Sequence, residues 1–231
     1  MSDVAFTCAG TRLVACASGA LWLPAARLLC VSDLHLGRSE RLARQGGGLL
    51  PPYETAETLD RLAREIEVRT PATVVCLGDS FDDGACESGL AEADRGRLTA
   101  LMAGRDWVWI AGNHDPGPVA LGGRHLAQLE RTGLVFRHAP EAGACTGEVA
   151  GHLHPKFRRR LNGTQVSRPC FLADGRRVIL PAFGAYTGGL SADDPAVASL
   201  LDPATCIAIL TGARCVALPL ATKAALRRQR A

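Results

Sequence analysis

Apolar residues recur along this chain in two rhythms, and the change comes a little past the midpoint. In the first half, short apolar runs at 26–33 (ARLLCVSD), 72–79 (ATVVCLGD) and 106–115 (DWVWIAGNHD) read as buried strands. Longer stretches between them carry a helical period. Leu59, Leu62, Ala63 and Ile66 follow the i, i+3, i+4, i+7 spacing of one apolar face, and Pro51 and Pro52 precede it, as suits a helix start. A second helix is expected over about 90–103 with Leu90, Leu98, Leu101 and Met102 turned inward. After residue 132 the pattern turns to short strands: GLVFRH, GEVAGHLH, RPCFLAD, RRVILPAF, ATCIAIL and RCVALPL. An α/β front half and a β-rich back half predict a layered sandwich with helices outside.

The polar residues that close these strands carry the chemistry. The first ends in Asp33-Leu34-His35, the second in Gly78-Asp79, the third in Gly112-Asn113-His114-Asp115. GLVFRH ends in His138, and GEVAGHLH in His152 and His154. Five of the six histidines therefore lie at expected strand ends, and His125 falls in a polar stretch that reads as helical. In open α/β sheets, functional residues gather beyond the carboxyl ends of the strands. If the backbone through 152–154 is extended, both imidazoles point to one face.

Imidazole nitrogen and carboxylate oxygen together suit Mn, Fe or Zn rather than Mg or Ca. Seven ligating side chains, one of them an asparagine amide, exceed the needs of one ion that must also hold water and substrate. A shared carboxylate would let them serve two ions roughly 3.5–4 Å apart, a spacing that clamps a phosphoryl group.

Composition narrows the class without changing this picture. With 231 residues, 47% of them hydrophobic and 21% charged, the chain is expected to form one sizeable core. The N-terminus MSDVAFTCAG lacks the basic-then-apolar pattern of a secretory leader. The most apolar stretch, GALWLPAARLLCV, is broken by Pro24 and Arg27 and falls short of the ~18 residues of a membrane helix. A cytoplasmic location is expected. The nine cysteines are scattered with no Cys-x-x-Cys pair, which argues against a disulfide framework and against a zinc knuckle. Residues 1–150 hold 14 Lys and Arg against 19 Asp and Glu; residues 151–231 hold 12 against 4. A basic final third suggests a polyanionic partner, or only a solubilising surface.

The order D-x-H (33–35), GD (78–79), GNHD (112–115), His138 and GHLH (151–154) resembles the calcineurin-like metallophosphoesterases. A narrower resemblance spans most of the chain. SGALWLPAARLLCVSDLHLGR, LLPPYET, CLGDSFDD, DWVWIAGNHDP, FRHAPEAG, GEVAGHLHPK, RPCF and LPAFGAYTGGL are similar to the DNA ligase-associated metallophosphoesterases. These are bacterial repair proteins encoded with a ligase, a helicase and an exonuclease. The resemblance implies an α/β fold, a four-layered α/β/β/α sandwich over residues 1–222 with its dimetal site at strand C-terminal ends, followed by a basic tail at 223–231. It implies two divalent ions, manganese foremost, and a phosphodiesterase or endonuclease acting on DNA, single-stranded or flap-like. A nucleotide phosphatase or phosphodiesterase could carry the same metal blocks, and a non-catalytic scaffold could keep the fold.

Carried over residue by residue, Asp33, His35 and His154 would bind the first metal, and Asn113, His138 and His152 the second. Asp79 would bridge them. His114 would act from the side, protonating the departing oxygen or stabilising the phosphate. Asp115 would orient that imidazole, or serve as a turn residue before Pro116. Arg38, Arg137 and Lys156 each lie within three residues of a ligand and are candidate phosphate contacts, with plain surface charge as the alternative. Residues 183–190, FGAYTGGL, are either a base-stacking loop through Tyr186 or a tight turn with a packed ring. The tail cations Lys223, Arg227, Arg228 and Arg230 are expected to meet phosphates. One departure stands out: these relatives commonly have GDSFHD where this chain has GDSFDD, so Asp82 receives no role.

Overall fold

The computed structural model describes residues 2–46, 51–117, 119–143, 145–161 and 163–220. The basic tail expected at 223–231 lies outside the described residues. Two sheets follow each other along the chain. The first, in the order β1 (Val4–Cys8), β2 (Thr11–Ala15), β3 (Leu21–Leu23), β4 (Leu28–Val31), β5 (Thr73–Leu77), β6 (Asp106–Ile110) and β7 (Arg124–Leu126), is antiparallel up to β4 and parallel from β4 to β7. The remaining strands are β8 (Gln128–Arg131), β9 (Leu134–Arg137), β10 (Glu148–Ala150), β11 (Lys156–Leu161), β12 (Thr164–Ala173), β13 (Arg177–Ile179), β14 (Ile207–Leu210) and β15 (Val216–Pro219). They form the second sheet in the order β15-β14-β12-β13-β10-β9-β8, with β11 pairing β12 as a hairpin. Here β9, β10 and β13 run parallel.

Alternation along the strands sorts their side chains into layers. Val75 and Leu77 of β5 join Phe136, Val149, Phe171 and Ile209 in a core between the sheets. Val74 and Cys76, on the other face of β5, pack with Leu59, Leu62 and Ile66 of α2 (Glu54–Arg69) and Leu98 of α4 (Glu92–Met102). Burying each of those large aliphatic side chains is worth ~1.5–3 kcal/mol. Two shorter helices, α1 (Arg38–Arg44) and α3 (Gly84–Gly89), precede α2 and α4 respectively. On the outer face of the second sheet, Leu172, Ile179 and Ala208 are covered by Val197 and Leu201. Its only helix among the described residues, α5 (Pro195–Ala198), has four residues, so the fourth layer is thin.

The two expected helices are present, and each expected strand has a counterpart, with GLVFRH becoming β9 and RRVILPAF β13. His125 is a correction: it lies in β7, not in a helix. There it extends the parallel sheet beside β6, so strand pairing overrides a locally polar sequence. All nine cysteines are free and eight are buried.

Candidate metal centre

The parallel strands β4, β5 and β6 stop on one edge, and within three residues of their ends stand Asp33, Asp79 and Asn113. The parallel pair β9 and β10 ends on the same seam with His138 and His152. Turning the chain sharply off each strand puts Asp33 (φ 53°), His35 (φ 46°), Asp79 (φ 46°), His152 (φ 67°) and His154 (φ 45°) in the left-handed region. Such backbone is costly for residues with a Cβ, and it concentrates at functional sites. The GHLH segment is therefore not extended, which corrects the expectation of two same-facing histidines on a strand; β10 ends at Ala150.

Both carboxylates are held the same way. Asp33 is fully buried; its Oδ2 accepts from the His152 N–H at 3.0 Å and from the Ser32 hydroxyl. Its Oδ1 is left without a hydrogen-bond partner and stands 3.0 Å from His154 Nε2, itself unpartnered. Asp79 Oδ1 accepts from the His114 N–H at 2.9 Å, while Oδ2 faces His138 Nε2 at 3.4 Å. In each case one oxygen is tied to the backbone and the other is aimed into the centre. Side chains at Gly112 or Gly151 would collide with these carboxylates, which explains the glycines of GNHD and GHLH.

The histidines fall into two groups around them: Asp33, His35 and His154, and Asp79, His138 and His152. His138 Nδ1 donates to the Leu77 carbonyl at 2.8 Å, leaving Nε2 as the inward lone pair. That nitrogen lies 2.9 Å from Asn113 Oδ1 and 3.1 Å from His152 Nδ1. Four lone-pair atoms, from His138, Asn113, His152 and Asp79, thus crowd one point that a single proton cannot satisfy. The donor set fits cations of the Mn, Fe or Zn type.

Without a cation the charges compensate each other. Burial works against the ionised form of Asp79, yet the His138 bond and the His114 N–H outweigh it and hold the carboxyl down at about 2. Burial likewise opposes charge on His138, but Asp79 and Asp33 push its imidazole up to about 9.

Asp82 is the functional residue the sequence reading left without a role. It is fully buried, and its Oδ1 lies 2.8 Å from His35 Nδ1 and 3.1 Å from an Arg38 Nη. Its Oδ2 takes Arg41 at 2.8 Å. Burial opposes its charge, and the His35 and Arg41 contacts more than reverse that, so it is ionised well below the usual carboxylate range. With Nδ1 thus engaged, His35 presents Nε2 inward. The signal in the sequence was a second acidic residue in GDSFDD set against the basic helix RSERLAR.

Asp115 is a correction. It does not touch the His114 ring; its carboxylate accepts from the backbone N–H groups of Asp79, Ser80 and Phe81 at 2.8, 2.7 and 3.1 Å. It shapes the turn that presents Asp79. The His114 ring is oriented instead by the Asp82 carbonyl, 2.8 Å from Nδ1, with Nε2 4.0 Å from Asp79 Oδ2.

The candidate phosphate contacts are also redistributed. Arg38 is engaged with Asp82. Arg137 is held by Glu141, by Gln128 at 3.1 Å and by Glu148 at 3.6 Å, so each guanidinium already shares its charge with a carboxylate. Lys156 donates to the Thr187 carbonyl at 2.9 Å. In the 183–190 segment, Phe183 is fully buried and Tyr186 is 45% exposed. The N–H of Gly184 donates to the Asp33 carbonyl at 3.0 Å, which makes this segment a wall of the centre.

The family model described as calcineurin-like phosphoesterase matches residues 26–176, a span that contains every side chain of this centre. The crystal structure of Pseudomonas putida nuclease MPE is similar over 94% of this chain and 100% of that one, with a TM-score of 0.71 and 27% identity. No curated protein matches.

Proposed function

The chain belongs to the calcineurin-like phosphoesterases and is a metal-dependent phosphoester hydrolase; from that premise we propose that it cleaves phosphodiester bonds in DNA, as a manganese-dependent endonuclease acting on single strands. One observation carries the reading of the site: two buried carboxylates, each with one oxygen tied to the backbone and the other facing histidine nitrogens at 3.0 and 3.4 Å. Asp33, His35 and His154 are assigned to one ion, Asn113, His138 and His152 to the other, and Asp79 to both. These residues would hold divalent ions, whose chemistry there would be Lewis acidity at the phosphoryl oxygen and a lowered pKa for the attacking water. Asn113 contributes a neutral oxygen, so the carboxylate charge stays at two and favours an anionic diester.

His114 carries the proton. Its Nδ1 donates to the Asp82 carbonyl, so when the ring is protonated Nε2–H is the bond available to the departing alkoxide. Its ring is one-third exposed, which leaves it accessible to substrate. DNA as the substrate is supported by the likeness to a nuclease and by the basic final third. Manganese and a working association with a ligase, helicase and exonuclease rest on the sequence resemblance; the cytoplasmic location is proposed from the sequence, and among the described residues no helix is long and apolar enough to cross a membrane.

The test is a substrate panel with purified protein across Mn, Mg, Zn and Co. Manganese-stimulated cleavage of a single-stranded oligonucleotide, well above hydrolysis of mononucleotides, is expected. Preference for mononucleotides would make the protein a nucleotide phosphatase with the same centre.

A further inference from the structure

A basic groove runs up to the metal centre and is explained by none of the residues above. Two connected hollows of ≈ 390 and ≈ 250 Å³ share Ser18, Arg61, Pro169 and Thr211 as walls. The larger adds Arg64, Arg168 and Glu65, the last already paired with Arg69 at 3.4 Å, and the smaller adds Lys156, Tyr186 and Gly184. Gly184 is hydrogen-bonded to Asp33, and Lys156 lies two residues beyond His154. One end of the groove therefore abuts the candidate ligands.

Arg61 has the features of an anion anchor. Its guanidinium stacks 4.7 Å over the Phe183 ring, and one Nη donates to the Phe183 carbonyl. Its Nε is buried and makes no hydrogen bond. The side chain is half-buried and keeps its charge, yet it makes no ion pair among the described residues. Arg64, one turn further along α2, and Arg168 of β12 likewise make no ion pair among the described residues. The Arg168 guanidinium lies where a Cβ on Gly212 would collide with it, so glycine at 212 is what lets it lie along the wall. By contrast, Arg159 of the neighbouring hairpin is paired with Asp193 at 2.6 Å. The smaller hollow also holds one exposed carboxylate, Glu57, set against Arg61 and Lys156.

We propose that this groove holds the phosphates of a single nucleic-acid strand leading into the metal centre, with Arg61 as the anchor and Arg64 and Arg168 as the outer contacts. The half-exposed Tyr186 at the inner end offers a face on which a base can stack, as strand-binding grooves commonly do. The inference rests on the nuclease reading of the centre.

The test is equilibrium binding of a fluorescent oligothymidylate across a salt series, in chelator so that nothing is cleaved. Each phosphate contact on a single strand contributes a slope of roughly 0.7 in log affinity against log salt. Arg64→Ala/Arg168→Ala should flatten the slope by roughly 1.4, and Arg64→Lys/Arg168→Lys should restore most of it. Arg12→Ala/Arg131→Ala removes the same charge from β2 and β8, away from the groove, and should leave the slope near that of the wild type. Equal slopes for the groove pair and the control pair overturn the proposal, as does a wild-type protein that binds no oligonucleotide. Binding with the expected slopes but no oligonucleotide cleavage in manganese supports the groove and overturns the nuclease reading instead.

Discussion

Asp82 shows how much of the centre depends on a side chain that touches no substrate. It fixes His35 through Nδ1 and is itself clamped by Arg38 and Arg41. Partners of this kind are worth about 10–100-fold in metal affinity, so Asp82→Ala should weaken manganese binding by that order, measured by direct metal titration. Unchanged affinity would mean that His35 is oriented by packing alone. His114 makes the opposite case, a side chain expected to work on the reaction and not on the metal. His114→Ala should keep its manganese and lose about 10²–10⁴ in rate on DNA, with a much smaller loss on bis-p-nitrophenyl phosphate, whose leaving group needs no proton. Equal losses with metal intact would make it a charge stabiliser, and lost metal would make it a ligand. Asp33, His35, Asp79 and the later histidines were legible as a set because each closes an apolar run. Asp115 misled because its neighbour in sequence is His114, whereas its hydrogen bonds go to residues 79–81, across the sheet.

Among elements, β10 and β13 are joined by a buried ion pair as well as by their parallel register. Glu148 and Arg177 face each other across it, 3% and 1% exposed. Arg177 also donates to the carbonyls of Leu200 and Glu141. Glu148→Ala would leave a buried guanidinium without its counter-ion and should cost about 3–5 kcal/mol, read from denaturant unfolding. A loss within the range of a surface pair would show that the remaining carbonyls suffice. Because β10 leads directly into His152, we expect metal binding to weaken in the same variant. The parallel strands were legible from continuous apolar runs. The hairpin β11–β12 was only half seen, since KFRRRL has no apolar alternation; its stability comes from six cross-strand residue pairs and from Phe157 packing under the outer face. The strands β1 to β3 were not read from the sequence; antiparallel pairing in the sheet fixes them.

At the scale of the whole molecule, folding, protonation and metal binding are one linked equilibrium. With no metal, Asp79 and Asp33 hold the His138 proton up to a pKa of about 9, against 6.5 in the unfolded chain. That stabilisation is complete below the unfolded value and is lost as pH rises through about 9. Metal-free protein should therefore melt at progressively lower temperature between pH 6.5 and 9, a trend that His138→Gln abolishes. Manganese affinity should rise over the same interval, because the proton must leave Nε2 first. A flat melting profile would show that the imidazole is already neutral. The basic groove, unlike the centre, was not legible: it joins α2 to β12 and the 184–187 segment, which come much later in the chain, and only their packing reveals that Arg61 makes no ion pair among the described residues. Everything proposed for the centre turns on one carboxylate, Asp79, serving two ions. The most direct measurement counts manganese per chain and oligonucleotide cleavage in the same samples of wild-type and Asp79→Ala protein. We expect two ions and full cleavage in the wild type. The variant should stay folded, bind less manganese and cleave no better than metal-free protein. Near-wild-type cleavage by Asp79→Ala, or full wild-type activity at one ion per chain, would contradict the account.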